Sequence, residues 1–508
     1  MNCKMLLVVT CVMMARLWLI TALLASPIFS SVTTDEFDDV KDATPKIAII
    51  GGGIGGTSTA FFIKKALPRS QVDVFEKGDV GGRLRTTKIA GREYEVGGSV
   101  IHPKNEYMTN FLEVCNLTKA TRGPSKKTSI YHHGELVVEL SDWSSWSTIQ
   151  LLWRYGFISL LRLRGFVHDM LWHFKQVYPK LDHGQTYNNA LDLLNDMYPS
   201  SSYPSLLTES LHSALKHAGI NELLINELGR IATRVNYGQL PEAIHAFVGS
   251  VAIAGTQGEL WAVKGGNYRI PECLLEVSNA RKIEKLVKKV EKGSEGGYLV
   301  DGEKYDMVVI ASPQTSDEPS RLDLGSLAPK NGFEGSYHRT VANIVHGTLR
   351  KSVFTSQENF ILDADSNVIS VASLVPTDYD PSKDADINAL PSVYKVFSKQ
   401  PLSDQELNRI FDKPADLFIN GERTKLEVQV FDWQAYPEYS VGQPMQDFVL
   451  GEGLFYLNAI EKAASAMEMS SLAGRNVANL VVAHARKSLM GEVSTSTGFR
   501  VVDATEEL

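Results

Sequence analysis

The chain has 508 residues, of which 44% are apolar and 22% charged, and its formal net charge is -8 at pH 7. This length suffices for two sizeable hydrophobic cores. The mildly acidic balance and the lack of a dense basic run argue against a nucleic-acid surface, so we expect no nucleic-acid partner.

The N-terminus has the composition of a secretory signal. Lys4 and Arg16 precede an apolar run over residues 17–25, and the chain turns acidic after Thr33. We predict a cleaved signal peptide over residues 1–30, with an uncleaved membrane anchor as the alternative. In either case the body of the protein lies outside the cytosol, in the secretory pathway.

Residues 46–76 predict a complete strand-turn-helix-strand unit for a dinucleotide. The apolar run from Ile47 to Ile50 is typical of a buried parallel strand, and the G-x-G-x-x-G spacing follows it. These glycines allow a tight turn, a close approach of backbone to a pyrophosphate, and close packing of helix on strand. Helix amides then face the phosphates, and an acid at the end of the second strand accepts hydrogen bonds from ribose hydroxyls. The residues assigned to this unit are Gly51, Gly53, Ile54, Gly55, Gly56 and Glu76.

The next segments specify which dinucleotide is bound. Residues 77–86 contain a G-G-R-L pattern that resembles the second fingerprint of FAD proteins related to the amine oxidases. The loop over residues 95–103 is similar to the segment that passes the isoalloxazine in that group. The resemblance implies that the glycines and Arg83 lie along the phosphates and the ribityl chain of FAD. The further cofactor contacts implied here are Lys77, Gly82, Arg83, Leu84, Gly98 and Ser99.

Two features downstream bear on the compartment and on metals. Asn116 begins the sequon Asn-Leu-Thr, which predicts a glycosylated, exposed loop. Beyond the signal, the remaining cysteines are Cys115 and Cys273, which can pair or stay reduced. Because there is no C-x-x-C, no clustered His/Cys set and no H-E-x-x-H, we predict no metal site.

Apolar residues recur at near-helical spacing from Ser144 to Leu181, with basic residues among them. Two interpretations are open. These residues form helices of a substrate domain folded on their own core, or they form an amphipathic basic surface that lies on a membrane.

The later segments predict a return to the cofactor domain. Arg281 to Val290 predicts one strand, and in FAD proteins of this type the position of Val287 places its backbone against the adenine. Near the C-terminus, a strand followed by a small-residue loop opens a helix, which would bring amide donors to the flavin pyrimidine. The residues assigned there are Asn458, Ala466 and Met467.

The predicted fold class is α/β. A discontinuous Rossmann-type FAD-binding domain carries an inserted α+β substrate domain, in an amine-oxidase-like two-domain architecture. The FAD-binding domain is assigned residues 46–140, 262–313 and 441–490. The substrate domain is assigned a mainly helical part over 141–261 and a sheet over 330–440, and residues 491–508 form a tail.

Three segments together resemble the prenylcysteine oxidase family, including its prenylcysteine oxidase-like members. They are residues 96–103, residues 235–239, and residues 456–458 with 463–470. The match runs from about Lys46 to His484. One departure is Ala459, where the family pattern leads us to expect glycine.

This resemblance implies an FAD-dependent thioether oxidase that cleaves S-farnesyl- or S-geranylgeranyl-L-cysteine with O2 and water. The products are cysteine, a prenyl aldehyde and hydrogen peroxide. A hydride passes from the allylic C1 to flavin N5, water adds to the cation, and the hemithioacetal collapses. Non-covalently bound FAD is the electron sink, so the protein mainly binds, orients and shields. His102 and His245 are candidate bases, with a structural role as the alternative for each.

The implied substrate needs an apolar slot for the prenyl chain and partners for its ammonium and carboxylate. Arg154 or Arg234 is a candidate for the carboxylate, and Asn236, Tyr237 and Gln239 are candidates for the pocket wall.

Two other functions stay open. A lumenal flavin amine oxidase-like enzyme would be favoured by an aromatic cage beside the flavin. A lipid- or lipoprotein-associated flavoprotein of low activity would be favoured by a blocked path to the flavin. The expected location is the lysosome, with secretion as the alternative, and peripheral membrane or lipoprotein association is compatible with a lipid-like substrate.

Overall fold

A computed structural model describes residues 42–496 except 122, 124–125, 142–143, 198–202, 257–259, 385–389, 413–417, 420–421 and 424–425. The predicted signal peptide and the end of the predicted tail lie outside the described residues. Within the part of the chain that the structure describes, no helix is long and apolar enough to span a bilayer.

The strands range from two to eleven residues. Those of the dinucleotide unit and its neighbours, such as Lys46–Ile50, Met307–Ile310 and Leu454–Tyr456, are the most buried. In chain order they are β1 (Lys46–Ile50), β2 (Gln71–Glu76), β3 (Thr86–Ile89), β4 (Arg92–Glu95), β5 (Thr128–His132), β6 (Glu135–Leu140), β7 (Arg281–Glu284), β8 (Val290–Lys292), β9 (Tyr298–Val300), β10 (Glu303–Tyr305), β11 (Met307–Ile310), β12 (Tyr337–His346), β13 (Thr348–Leu349), β14 (Glu358–Ile361), β15 (Val368–Ser373), β16 (Val393–Ser398), β17 (Phe411–Asp412), β18 (Phe418–Ile419), β19 (Glu422–Arg423), β20 (Glu427–Pro437), β21 (Val449–Gly451) and β22 (Leu454–Tyr456).

The helices cluster in the middle of the chain, apart from those that flank the first sheet. They are α1 (Ile54–Ala66), α2 (Glu106–Val114), α3 (Ser144–Tyr155), α4 (Phe157–Phe174), α5 (Val177–Asp182), α6 (Ala190–Met197), α7 (Tyr203–Thr208), α8 (Leu211–His217), α9 (Glu222–Leu224), α10 (Arg230–Tyr237), α11 (Ala246–Ala254), α12 (Arg269–Val277), α13 (Asp404–Ile410) and α14 (Met467–Ser496). A π-helical turn, Ile225–Gly229, joins α9 to α10.

Six strands form the sheet that carries the dinucleotide unit, in the order β21-β22-β11-β1-β2-β7. They pair in parallel except for β21. Helix α1 packs against α14 and α12, which explains why α1 is apolar around most of its circumference. Strand order reverses between β1 and β11, so a crevice opens at the carboxyl ends of these two strands. Because the strands come from distant parts of the chain, the predicted discontinuous Rossmann-type fold is confirmed.

Seven strands form a second sheet, in the order β20-β12-β16-β15-β14-β5-β6. All neighbours are antiparallel except β14 and β5. One face packs with α13 in a core that includes Val345, Val371, Val396 and Phe411. The opposite face contributes to the cavity described below.

Two predicted segment limits are corrected. Strands β5 and β6 fall inside the range 46–140 assigned to the cofactor domain, yet they form the edge of the second sheet because β5 pairs with β14.

The single strand predicted from Arg281 to Val290 is two strands, β7 and β8. The chain leaves the first sheet between them, where the Asp301 carboxylate accepts hydrogen bonds from the backbone amides of Lys288 and Lys289.

A disulfide joins Cys115, at the end of α2, to Cys273 in α12, with their Cα atoms 5.9 Å apart. The sequence left this pairing open. Asn116 follows in an exposed turn with φ of +47°. The sequon is therefore accessible, and glycosylation of Asn116 stays a prediction.

Glu468 connects three helices from the first turn of α14. Its side chain is buried and accepts hydrogen bonds from Tyr107 N (2.8 Å), Met108 N (3.0 Å) and Tyr178 Oη (2.5 Å). The two amides belong to the first turn of α2, so the carboxylate satisfies donors that the helix itself leaves unpaired. Burial raises the pKa of Glu468 to about 7, although the three hydrogen bonds act in the opposite sense.

This raised pKa predicts that Glu468 stabilises the fold most in acid. A carboxyl group whose pKa rises from 4.5 to about 7 on folding is fully stabilising below pH 4.5 and loses that contribution as pH rises to 7. Between these limits the wild type should lose roughly 3 kcal/mol of unfolding free energy relative to Glu468→Gln, which stays neutral. Denaturant unfolding of both proteins across this pH range, with Glu113→Gln on the exposed side of α2 as a control, measures the effect. A pH-independent difference between wild type and Glu468→Gln would contradict it.

Candidate cofactor and substrate site

The turn between β1 and α1 is packed tightly by backbone except where it faces the crevice. Gly51 has φ of +120°, and a Cβ atom there would lie 2.6 Å from Ala311 O. A Cβ on Gly56 would lie 2.0 Å from Gly51 O. On Gly53, the nearest atom to such a Cβ would be 3.9 Å away. The backbone at Gly53 therefore borders open space of the kind that a pyrophosphate requires.

Glu76, at the end of β2, connects the two fingerprint loops. Its Oε2 accepts a hydrogen bond from Gly52 N (2.9 Å), and its Oε1 accepts one from Gly78 N (3.2 Å). The carboxylate lines the cavity, as the assignment to a ribose requires. Lys77 also lines the cavity, and its Nζ donates to Ser320 Oγ (2.8 Å).

The loop after β4 packs closely against the second fingerprint. A Cβ on Gly97 would lie 1.9 Å from Arg83 O, and one on Gly98 would lie 2.9 Å from Leu84 Cδ2. The same position on Gly98 is 3.8 Å from Met467 Cε. This loop therefore needs glycine at Gly97, where the contact is with backbone, while at Gly98 the Leu84 side chain would have to move to admit a Cβ.

Arg83 binds protein groups rather than projecting freely into the cavity. Its Nη1 donates to Ala435 O (2.6 Å), and its guanidinium forms an ion pair with buried Glu461. Tyr337 Oη donates to the same carboxylate. Arg83 still lines the cavity, but the predicted run of its side chain along the phosphates is not supported. Its guanidinium ties the second fingerprint to the segment that precedes α14.

Asn458 and the start of α14 border the cavity beside β22. Asn458 Nδ2 donates to Glu461 Oε1 (3.0 Å), while Asn458 Oδ1 is buried and has no hydrogen-bond partner among the described residues. Ala466 and Met467 line the cavity at the N-terminus of α14, where the helix dipole is positive. An unpartnered acceptor and a positive helix end suit a flavin pyrimidine, which has an N–H group and gains negative charge on reduction.

These groups border one cavity of 1910 Å³. The predicted cofactor residues that line it are Gly51, Gly53, Ile54, Gly55, Glu76, Lys77, Gly82, Arg83, Leu84, Gly98, Ser99, Asn458, Ala466 and Met467. Gly56 lies behind the turn, and Val287 is buried in the loop after β7 without lining the cavity. The residues present fit FAD, and the predicted adenine contact of Val287 gains no support.

Beyond the flavin segment, the same cavity continues between helices and the second sheet. Its helical wall is mainly apolar and contains Leu151, Leu160, Leu163, Met170, Leu171, Phe174, Leu228, Ile231, Val235, Val251 and Ile253. Its sheet wall contains Ile130, Phe360, Phe397 and Trp433. A long apolar ligand can therefore extend from the flavin segment into this chamber.

The predicted substrate residues divide into two groups. Asn236 and Tyr237 line the cavity. Gln239 does not, because its amide exchanges two hydrogen bonds with the backbone of Tyr439, at 2.9 Å each. Arg234 is also wrong as a substrate ligand: it is 3% exposed, and its Nη1 donates to the carbonyl of Ile361.

Arg154 is likewise committed to a protein partner. Its Nε and Nη2 donate to the two carboxylate oxygens of Glu227, at 2.7 and 2.6 Å. Tyr155 Oη donates to the same carboxylate (2.7 Å). This bidentate pair leaves Arg154 outside the cavity lining, so its assignment to the substrate carboxylate is also corrected.

The two candidate bases have structural partners. His245 is fully buried at the start of α11, its Nδ1 accepts from Val248 N (3.4 Å), and its Nε2 lies 3.2 Å from Lys462 O. Burial lowers the pKa of His245 to about 4. Because it does not line the cavity, His245 is a helix cap and not a catalytic base. His102 does line the cavity, and its Nδ1 accepts from Lys104 N (3.1 Å).

The ionisable cavity residues with no role assigned from the sequence include Glu95, Lys126, Glu358 and Lys395. Burial raises the pKa of Glu95 to about 7 and lowers that of Lys395 to about 8. The only local signal is a period-two pattern, in which Glu358 and Lys395 each precede a phenylalanine by two positions.

The sequence predicts no metal site in the chain, and this stays a prediction. Among the described residues, one group of potential ligands lies within 4.8 Å of one another: His132, His133 and Asp363, at the β5–β6 hairpin. The two histidines are exposed and the group lies outside the cavity lining, and we assign no ion to it.

Comparisons with known proteins agree with the family resemblance found in the sequence. Residues 138–491 match the prenylcysteine lyase family, and residues 49–115 match the NAD(P)-binding Rossmann-like domain. The chain is 34% identical over 463 residues to prenylcysteine oxidase 1 of Bos taurus, covering 86% of this chain and 88% of that protein. It is 32% identical over 468 residues to prenylcysteine oxidase 1-like of Bos taurus, covering 86% and 91%.

A solved structure shows the same fold. Cyclohexylamine oxidase from Brevibacterium oxydans IH-35A aligns with a TM-score of 0.58 at 14% identity, covering 88% of this chain and 100% of that one. At this identity the likeness concerns the fold, and it confirms the amine-oxidase-like architecture.

The packing at Gly56 predicts a sharp effect on cofactor content. A methyl group 2.0 Å from Gly51 O would force α1 away from β1, so Gly56→Ala should lower the flavin content of the purified protein about tenfold or more. Gly165→Ala in α4 is the control, because its Cβ would meet nothing within 4 Å. Visible flavin absorbance relative to protein measures both. Full flavin content in Gly56→Ala would contradict the assignment of this turn.

Proposed function

This chain belongs to the prenylcysteine lyase family, and we propose that it is an FAD-dependent oxidase that cleaves the thioether of S-prenyl-L-cysteine. The observation that carries this proposal is a single cavity that joins a glycine-lined dinucleotide crevice to a deep apolar chamber. The chamber suits a farnesyl or geranylgeranyl chain, which needs apolar surface along its whole length.

The overall reaction balances with O2 and water as co-substrates. The prenyl C1–S bond breaks, C1 becomes an aldehyde, sulfur leaves as the cysteine thiol, and O2 is reduced to hydrogen peroxide. When bound, FAD supplies the acceptor for the hydride, which carries the two electrons of the oxidation. The protein contributes binding and orientation, because its described cavity residues place apolar walls around the reacting carbon.

Several residues would hold the cofactor. The backbone from Gly51 to Gly56 and the N-terminus of α1 would bind the diphosphate, and Glu76 would bind the adenosine ribose. Asn458 and the N-terminus of α14 would border the flavin ring. Non-covalent attachment is part of the proposal, since both described cysteines are used in the disulfide.

The proposal includes a lumenal location, with the lysosome as the destination and secretion as the alternative. The disulfide between Cys115 and Cys273 is typical of an oxidising compartment. The exposed sequon at Asn116 is compatible with passage through the secretory pathway. The raised pKa of Glu468 favours stability in an acidic compartment.

Peripheral association with a phospholipid surface also belongs to the proposal. Helices α3 and α4 bury part of their apolar surface, but they expose Trp153 (90%), Phe157 (58%), Ile158 (64%), Leu161 (55%) and Trp172 (60%). So many large exposed apolar side chains on two successive helices are unusual in a soluble domain.

The cavity opens beside this surface. Trp172, Arg164 and Lys175 both line the cavity and are exposed, which places them at its mouth. Basic side chains beside exposed aromatic rings match an anionic bilayer surface. A prenylated substrate dissolved in such a surface could then enter the chamber without crossing water.

The amine oxidase alternative depends on an aromatic cage. Tyr237 and Tyr436 both line the cavity, but their rings are 5.3 Å apart at 83° and do not face each other in parallel. Their hydroxyls are bound to Ser465 O (3.1 Å) and Thr340 Oγ1 (2.8 Å). This arrangement favours the thioether oxidase over an amine-binding cage.

A direct assay tests the proposed reaction. The purified flavoprotein, mixed with S-farnesyl-L-cysteine in air, should form farnesal and hydrogen peroxide in equal amounts, because one substrate oxidation reduces one O2. Flavin-depleted Gly56→Ala is the control for peroxide from other sources. Oxidation of a primary amine without oxidation of the thioether would move the assignment to the amine oxidase alternative.

A vesicle assay tests the lipid surface. Trp153→Ser with Phe157→Ser removes two large apolar side chains from α3 and α4, and should weaken binding to phosphatidylcholine–phosphatidylserine vesicles at least tenfold. Val277→Ser, which removes a half-exposed apolar side chain from α12, is the control. Cosedimentation measures binding. Equal binding by both variants and the wild type would contradict a role for this surface.

A further inference from the structure

The face of the second sheet that borders the cavity carries side chains in two rows. In one row, Thr128 pairs with Glu358, Glu358 with Ala372, and Ala372 with Lys395. Residues that are directly opposite on neighbouring strands project from the same face of a sheet, so all four point toward the cavity that they line. This set is called the ionic row here.

The neighbouring row on the same face is largely apolar. Ile130 pairs with Phe360, Phe360 with Ser370, and Ser370 with Phe397. Each of these residues is two positions from a residue of the ionic row along its strand, with Ser370 preceding Ala372 because β15 is antiparallel to its neighbours. All four line the same cavity. The sheet therefore presents charge at one level and apolar surface at the next, which matches a ligand with a charged head and an apolar tail.

Lys395 is an ammonium group in an unusual position. It is 5% exposed, and its Nζ donates to Val96 O (3.2 Å) in the loop that precedes Gly97. An ammonium has three donors, and one carbonyl satisfies only one of them. Glu95 lines the same cavity and attracts this ammonium. A carboxylate ligand beside Lys395 would give the ammonium a second anion and reduce the cost of burying it.

Lys126 and Glu358 supply a second cation and an anion beside the row. Lys126 Nζ lies 3.7 Å from Glu358 Oε1 and donates to Ser373 O (2.6 Å). Thr128 Oγ1 donates to Glu358 Oε2 (3.3 Å). The side chains of Lys126 and Glu358 keep 22% and 33% exposure, so both groups remain accessible from the cavity.

Space for a ligand lies between these charges. Ala372 on β15 lies between Glu358 on β14 and Lys395 on β16. The Cα atoms of Glu358 and Lys395 are therefore two strand spacings, about 10 Å, apart. A methyl side chain at that position leaves the region above the sheet open. A zwitterionic amino acid group is of a size to lie there, with opposite charges at its two ends.

We propose that the ionic row binds the amino-acid end of the substrate, with Lys395 and Lys126 on its carboxylate and Glu358 on its ammonium. This inference rests on the proposed function, since it takes the ligand to be an S-prenyl amino acid. The apolar row, with Ile130 and Phe397, then contacts the beginning of the prenyl chain. The ionic row thereby fixes the orientation of the ligand in the cavity, and with it the carbon that lies beside the loop at Gly97 and Gly98.

The test compares two ligands that differ only in the carboxylate: S-farnesyl-L-cysteine and S-farnesylcysteamine. Equilibrium binding is measured by anaerobic calorimetry on protein whose flavin has first been reduced with dithionite, so that no hydride transfer follows binding. The wild type should bind farnesylcysteine 10- to 100-fold more tightly, as expected for hydrogen bonds to a charged group. Equal affinity for the two ligands, or no binding of farnesylcysteine, would overturn the proposal.

Variants locate the effect. Lys395→Met and Lys126→Met should each reduce the affinity ratio of the two ligands about tenfold or more, chiefly by weakening farnesylcysteine. Lys395→Arg should retain part of the ratio because it keeps the charge. Lys399→Met, which alters a partly buried lysine just after β16 that does not line the cavity, is the matched control. Flavin content and thermal stability verify that each variant folds, and an unchanged ratio in both methionine variants would overturn the assignment.

The outcomes separate this inference from the proposed function. If the wild type discriminates between the ligands through Lys395 but forms no farnesal in air, the binding assignment stands and the oxidase assignment fails. If it forms farnesal but binds both ligands equally, the oxidase assignment stands and the ionic row has no such role.

Discussion

The structure depends on the absence of side chains where β1, α1 and β11 meet. Gly51 and Gly56 lie so close to backbone carbonyls that any Cβ would collide with them. A Cβ on Gly474 in α14 would lie 2.5 Å from the Ser58 hydroxyl of α1. This closeness brings helix amides to the end of the sheet without covering the crevice. A diphosphate site and a tightly packed first core therefore arise from the same steric requirement.

Distant segments of the chain meet at one cavity. The ion pair between Arg83 and Glu461 joins the second fingerprint to the segment before α14, and Glu468 joins α14 to α2 and α5. This ion pair and these hydrogen bonds hold the residues at the flavin end of the cavity in place. The second sheet then extends the cavity with a surface that changes from charged to apolar within two residues along β16. Cofactor site and substrate chamber are thus one continuous volume rather than two separate pockets.

The cofactor site was predictable from sequence because its determinants are local. Gly51, Gly53 and Glu76 act through backbone geometry within one strand-turn-helix-strand unit, and so their spacing is sufficient. The substrate residues were less predictable because their partners come from elsewhere. Arg234 lies in α10 and Gln239 follows that helix, close in sequence to Asn236 and Tyr237. The Arg234 side chain binds the backbone of Ile361, and the Gln239 side chain binds the backbone of Tyr439. The ionic row was missed because it exists only once β5, β14, β15 and β16 are in register, and the same non-local pairing moved β5 and β6 out of the predicted cofactor segment.

The proposed function requires that a bound flavin accept electrons from a prenyl thioether in this cavity. The most direct measurement is the visible absorbance of the purified protein during anaerobic addition of S-farnesyl-L-cysteine. The flavin absorbance should bleach on mixing, and it should return when air is admitted. A yellow protein whose absorbance stays unchanged with the thioether present would contradict the claim.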